Sequence, residues 1–179
     1  MATSQKTDKE IDKDKQKILK ELESFEREAK GKGLSFSRLT EEQIVKKLRG
    51  ETANSPFITG QGWTSGTPPG TAASYSVSIF NPDPATYYPI FVSIFFGLFN
   101  FLPGEDIGES IAGYLPAWPY MSTQPFSLPN GASANKTFTY TTPSSAPKTT
   151  YTGNALLWLG NYHDMGTYYD RGLFDVTLI

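Results

Sequence analysis

The chain of 179 residues has no cysteine, which excludes thiol nucleophiles, cysteine-ligated zinc and structural disulfides. It has one histidine, His163. Beyond its first 51 residues it also has little charge. Residues 1–51 hold 13 Lys/Arg and 11 Asp/Glu, whereas the remaining 128 carry only Lys136, Lys148 and Arg171 against seven acids. So few cations cannot neutralise a run of phosphates, and no nucleic-acid partner is expected. The start, Met-Ala-Thr-Ser-Gln-Lys, lacks the apolar stretch of an export signal, so synthesis in the cytoplasm without a signal peptide is expected. Long apolar runs are also scarce. The one candidate, residues 90–102 (IFVSIFFGLFNFL), is 13 residues long and lies between Pro89 and Pro103. A spanning helix needs about 20 apolar residues, and Phe, Ile and Val favour strand, so this run predicts buried strand and no membrane span.

What is present divides the chain in two. Of 25 aromatic residues, only Phe25 and Phe36 fall in the first 51. A charged arm, residues 1–50, therefore precedes a nearly uncharged, aromatic body, residues 72–179, across a Gly/Pro/Ser/Thr segment, residues 51–71, that reads as a linker with Trp63 tucked against something. In the arm, residues 7–30 predict a helix. Its first turns are acidic (Asp8, Glu10, Asp12, Asp14), and Gly31 and Gly33 end it. The apolar positions Ile11, Ile18, Leu22, Phe25 and Ala29 follow one seam of a heptad repeat, interrupted at Lys15. Elsewhere the signs alternate, as on a solvated face. A second helix is signalled by Thr40 and Gln43 as a capping box, Leu39 and Ile44 as a staple, and Gly50 as terminator. Its stripe is Ile44, Val45 and Leu48.

So narrow a seam is not stable alone. The arm is either a cap on the body or an anchoring and oligomerising device of coiled-coil type. The narrowness favours the second, with Ile11, Ile18, Leu22, Phe25, Ile44 and Leu48 as partner-binding residues.

Beyond residue 72, strand and turn signals alternate. Tyr75, Val77 and Ile79 interleave with Ser74, Ser76 and Ser78, which predicts a half-buried strand. Asn81-Pro82-Asp83-Pro84 breaks it. Residues 87–100 are a long apolar strand region with Gly97 as a candidate bulge, and residues 91–96 need a central place in the sheet rather than an edge. Leu128-Pro129-Asn130-Gly131 is a turn, and residues 135–141, 151–159 and 173–179 complete the set. The expected fold is mainly β: an antiparallel immunoglobulin-like β-sandwich of about seven strands preceded by a two-helix arm.

The order of these signals in residues 76–82, 126–140 and 155–159 resembles bacterial immunoglobulin-like modules of the CARDB kind. In them a strand ends in an Asn-rich turn and a later strand opens after a turn like the Asn-Gly-Ala-Ser found here at 130–133. The Phe-rich run at 90–102 and the Pro/Trp-rich segment at 114–125 depart from that pattern. The resemblance implies adhesion or spacing, and it carries over no catalytic residue.

Catalytic and metal-ligating patterns are weak. His163 and Asp164 are adjacent, and on a strand they face opposite ways. No Gly-x-Ser-x-Gly elbow accompanies them. Residues 161–172 read as a loop between the last two strands, with Asp170 and Arg171 as a local ion pair or turn. Glu105, Asp106 and Glu109 fit no calcium loop. No catalytic residue, cofactor or metal site is assigned. Trp118 and Tyr120, in a proline-flanked loop, are the candidates for an exposed surface, and with Tyr114, Trp63 and Trp158 for a sugar-stacking platform. The expectation is a non-enzymatic component of a multi-subunit, virion- or phage-like particle, a homo-oligomer or a subunit among others. A carbohydrate- or peptide-binding sandwich is the alternative, and a hydrolase a distant third.

Overall fold

The computed structural model describes residues 6–49, 55–83, 87–97, 106–107, 115–162 and 165–179. Along the chain run helix α1 (Asp8–Gly31), strand β1 (Ser35–Arg38), helix α2 (Glu41–Arg49), β2 (Phe57–Trp63), β3 (Gly66–Thr67), β4 (Ala72–Phe80), β5 (Tyr87–Phe96), β6 (Asp106–Ile107), β7 (Met121–Ser122), β8 (Phe126–Leu128), β9 (Ser133–Thr141), β10 (Thr150–Tyr162) and β11 (Met165–Leu178).

Both helices form where their end signals stand. The Thr7 hydroxyl accepts the Glu10 N–H at 3.1 Å. At the other end Leu34 N–H donates to Ala29 O and Gly33 N–H to Lys30 O, both at 3.0 Å. With Gly33 at φ 74°, this is a Schellman motif. Gly33 is thus the terminator, while Gly31 remains helical. In α2 the capping box closes reciprocally: Thr40 N–H donates to Gln43 Oε1 at 2.9 Å and Gln43 N–H to Thr40 Oγ1 at 3.2 Å. Gly50 lies outside the described residues.

The body is a two-sheet sandwich. Sheet A has the order β1-β2-β4-β9, and sheet B the order β3-β11-β10-β5-β7, with β6 on β11 and β8 on β5. Tyr75, Val77, Ile79, Phe138 and Tyr140 from sheet A meet Val92, Ile94, Phe96, Leu157, Phe174 and Val176 from sheet B in the principal core. Eleven strand segments are present among the described residues rather than about seven. Six of them have seven or more residues; the other five are too short for alternation to register in sequence. All pairings are antiparallel except β3 with β11. Strand β5 lies between β10 and the β7/β8 pieces, so residues 91–96 are central, as expected of an aggregation-prone run.

Two readings are corrected. The supposed linker contains β2, an inner strand of sheet A paired with β1 and β4, and β3. Gly60 and Gly62 looked like flexibility in sequence, but here they allow close approach. A Cβ at Gly60 would lie 2.7 Å from Leu22 Cδ2, and one at Gly62 3.1 Å from Ala29 Cβ. The supposed loop at 161–172 is largely strand, since β10 and β11 pair up to Tyr162 opposite Met165.

The same seat explains why β4 is not half-buried. Gly60 stands opposite Ser78 and Gly62 opposite Ser76. These small residues make a shallow surface on the outer face of sheet A, and α1 lies on it. Ser76 and Ser78 are accordingly buried along with Tyr75, Val77 and Ile79. The arm also adds β1 to the sheet, with Phe36 opposite Gly62 and its ring 5.9 Å from that of Phe25.

If this seat holds the arm, Gly60→Val should destabilise the protein by about 1–3 kcal/mol through overpacking against Leu22. Gly31→Ala, where an added Cβ meets nothing within 4 Å, should be neutral or stabilising by about 0.5 kcal/mol. Urea unfolding of the two variants against the wild type is the check, and equal midpoints for Gly60→Val and wild type would remove the close-approach argument.

Candidate functional site

The six seam residues do come together, but inside their own chain. Ile11, Ile18, Leu22, Ile44 and Leu48 form one cluster with Phe57 and Phe80 of the body, and Phe25 packs on Phe36. None of the six is more than 5 % exposed. The partner-binding reading of the seam is therefore corrected: its partner is sheet A, and the helix packs on a sheet rather than in a coiled coil. A narrow stripe suffices because the receiving surface is glycine and serine, which brings helix and sheet backbones close. Polar contacts border the docking. Lys17 Nζ donates to Gly131 O and Ser133 Oγ to a Glu21 carboxylate oxygen, and within the arm Arg49 of α2 meets Asp8 of α1 at 2.8 Å.

The aromatic surface is also corrected. Trp118 is 4 % exposed, its ring 4.3 Å from that of Phe96 and 4.7 Å from that of Tyr151. Tyr120 is half-buried and stacks on Phe95 at 5.7 Å. Phe95 and Phe96 are neighbours on β5 and face opposite sides. Trp118 thus joins the core between the sheets, whereas Tyr120 joins the cluster of Phe91, Phe95, Leu156 and Trp158 on the other face of sheet B. The two rings share no surface, so no stacking platform exists between them. Trp158 is wholly buried, its Nε1–H donating to Ser93 Oγ at 2.6 Å, and Trp63 packs against Phe174 at 6.4 Å. Tyr114, His163, Asp164, Glu105 and Glu109 lie outside the described residues. Asp106 sits on β6, opposite Thr167. Among the described residues, no three His, Asp or Glu side chains gather as a metal site would need.

What the fold does assemble is a polar cleft of about 230 Å³ between arm and body. Its origin is a bulge. The β2–β4 register shifts between Ile58 and Gly60, so Thr59 is an extra residue and the local ladder is interrupted. Three groups take up the freed backbone. Asp170 Oδ2, reaching across from β11, accepts the Ile58 N–H at 2.8 Å. The Thr59 carbonyl accepts the Leu39 N–H at 2.9 Å, and the Thr59 hydroxyl donates to Ser78 O at 3.1 Å. Asp170 Oδ1 accepts the Arg171 backbone N–H at 2.9 Å. Asp170 and Arg171 are therefore not a local side-chain ion pair; the recorded ion partner of Asp170 is Lys47 of α2, at 4.0 Å. Below the cleft, Gln61 Oε1 accepts the hydroxyl of buried Tyr75 at 2.6 Å.

Electrostatically the cleft sets three cations, Arg38, Lys47 and Arg171, around one carboxylate. Burial raises the Asp170 pKa above the ordinary carboxylate value; Lys47 and the two backbone N–H groups pull the other way without cancelling it. Burial likewise raises the Tyr75 hydroxyl, with the Asp170 charge adding to it. Of the cleft residues, the sequence had drawn attention to Leu39 and Gln43 as helix-start signals and to Asp170 and Arg171 as a local pair, but not to Arg38 or Lys47. A separate signal was available in Arg171, one of only three cations in the body.

The sign of the Asp170 effect is testable. A carboxyl with a raised folded pKa favours the fold most below its unfolded value, about 3.9, and that contribution is lost as pH rises through the folded value. Carbon-13 NMR titration of Asp170 should give a midpoint above the ordinary range. Lys47→Met, which removes the nearby cation, should move the midpoint higher still. A midpoint that does not respond would mean the Lys47 charge is screened from it.

No family model matches the chain, and no curated protein does either. Solved structures of similar strand arrangement exist at low identity. A CARDB domain from Pyrococcus furiosus is 14% identical, with a TM-score of 0.40 over 70% of this chain and 86% of that one. The C-terminal domain of Wzt is 9% identical, with a TM-score of 0.49 over 82% of this chain and 78% of that one. A Niemann-Pick type C2 protein from the Japanese carpenter ant is 8% identical, with a TM-score of 0.45 over 70% of this chain and 93% of that one. The chain is a β-sandwich with a weak, CARDB-like resemblance, and the likeness is one of fold alone.

Proposed function

We propose that the chain is a non-enzymatic packing subunit of a larger assembly of the virion- or phage-like particle type, made in the cytosol and joined to further copies through the β9 edge of sheet A. In this reading the helical arm is an internal brace rather than the joining device. The observation that carries it is the state of that edge. Strand β9 pairs with β4 over nine consecutive residues without a register shift, and among the described residues its other side has no strand partner. It contains no proline, and Asn135, Thr137, Thr139 and Thr141 are exposed along it. Its one cation, Lys136, lies 4.1 Å over the Phe126 ring, folded onto its own chain. Proteins that stay monomeric usually guard such an edge with lysine, proline or a bulge. A long regular edge without a guard suits strand addition, which supplies backbone hydrogen bonds to a neighbour. The low charge of the body fits packing among many copies.

The test is solution mass by light scattering across a concentration series, for the wild type and for a Thr139→Lys/Thr141→Lys double variant. The wild type is expected to associate. The variant is expected to stay monomeric with an unchanged unfolding midpoint, because paired β9 strands would bring its added lysines together. A wild type that remains monomeric throughout, or a variant that associates equally well, would defeat the reading.

A further inference from the structure

The cleft between arm and body goes beyond packing, and we infer that it is a binding site for a small oxyanion, a carboxylate or phosphate group, held between Arg38 of the arm and Lys47 of α2. Three observations meet here. The first is charge and its use. Arg38, Lys47 and Arg171 line the cleft with Asp170 as its one carboxylate, and that carboxylate is already committed. Each of its oxygens accepts a backbone N–H, from Ile58 and from Arg171, and Lys47 stands 4.0 Å away, beyond ordinary hydrogen-bond distance. Among the described lining residues, Asp170 is thus the one carboxylate that Arg38 and Lys47 could share, and only Lys47 is recorded as its ion partner.

The second observation is orientation. Arg38 Nε–H donates to Leu39 O at 2.8 Å, which fixes the guanidinium plane. Its terminal nitrogens meet no acceptor among the described residues, so the fork that suits a carboxylate or phosphate is left available. Gln43 also lines the cleft. Its amide oxygen is engaged by the Thr40 N–H at 2.9 Å, which leaves the NH2 end as a further donor. The third is size. At about 230 Å³ the cleft is smaller than drug-sized pockets, which begin near ~300 Å³, and holds roughly seven or eight waters' worth of liquid volume. That fits a phosphate ester or a short dicarboxylate better than a nucleotide or an oligosaccharide.

The donors Arg38, Gln43 and Lys47 come from the arm, and residues of β2 and β11 form the facing wall, so an anion bound here fills the junction and reinforces the arm's docking.

Isothermal titration of the full-length protein with inorganic phosphate and, separately, with succinate, in low-salt buffer, tests this. At least one is expected to bind and to raise the thermal midpoint. Phosphate alone would identify a tetrahedral dianion as the ligand chemistry, succinate alone a dicarboxylate, and both a general oxyanion site. Arg38→Gln and Lys47→Met should each weaken binding about tenfold or more, the loss of one charged hydrogen bond, with folding checked by circular dichroism. Lys148→Met, outside the cleft, should leave binding unchanged. Absence of heat with both anions overturns the inference. So does binding that survives both cleft variants, and so does a Lys148→Met loss as large as theirs, which would mark mere charge attraction. If one cleft variant fails to fold, the other decides.

Discussion

Helix α1 must come close to sheet A, and most of the architecture depends on that constraint. The helix has only a narrow apolar stripe, so it can bury that stripe fully only where the sheet beneath has almost no side chains. Gly60, Gly62, Ser76 and Ser78 provide such a place, in cross-strand pairs on two neighbouring strands. Leu22 and Ala29 settle directly onto the glycines. Phe57 and Phe80, paired at one end of the seat, supply the apolar area that the serines and glycines do not. A larger side chain at the seat would separate helix from sheet, and a void there would cost both surfaces their dispersion contacts.

The rest of the junction follows. Once α1 is seated, its Schellman end turns the chain into β1, which extends sheet A beside β2. The capping box then starts α2, whose Ile44 and Leu48 close the same cluster. The bulge at Thr59 moves Gly60 and Gly62 onto the helix-facing side of β2 while Ile58 stays in the core. The backbone groups it releases are satisfied by the Asp170 carboxylate, the Leu39 N–H and the Thr59 hydroxyl. The cleft is thus a consequence of the bulge that makes the seat, and its cations are those of the elements folded around it.

Sheet B shows a different use of two-sided burial. Strand β5 carries no polar alternation because both its faces are covered. Ile90, Val92, Ile94 and Phe96 enter the principal core, while Phe91 and Phe95 join Leu156 and Trp158 behind it. A run of this kind, uncharged and β-prone, is safe only with partners on both edges, and it has them. The Asn-Pro break after β4 has a similar structural part: Asn81 Nδ2 donates to Leu128 O at 2.7 Å, and Asn81 O accepts the Gly131 N–H at 2.8 Å. Two motifs behind the CARDB-like resemblance therefore hold each other in place.

Local chemistry was legible in the sequence. Capping residues, the glycine that ends α1, the seam positions, the serine/apolar alternation of β4 and the mainly β sandwich were all readable, because each depends on neighbours a few residues apart. What covers a surface was not readable. A serine face toward a helix and a serine face toward water have the same pattern, and a glycine needed for close approach looks like one needed for flexibility. Tertiary structure alone decided that the seam is spent within its own chain, that Trp118 and Tyr120 lie on opposite sides of a sheet, and that Arg38, Lys47 and Asp170 share a cleft. The physical reason is that those outcomes depend on contacts between separate segments, Leu22 with Gly60, Trp118 with Phe96 and Ile58 with Asp170, whose closure leaves no periodicity in the chain.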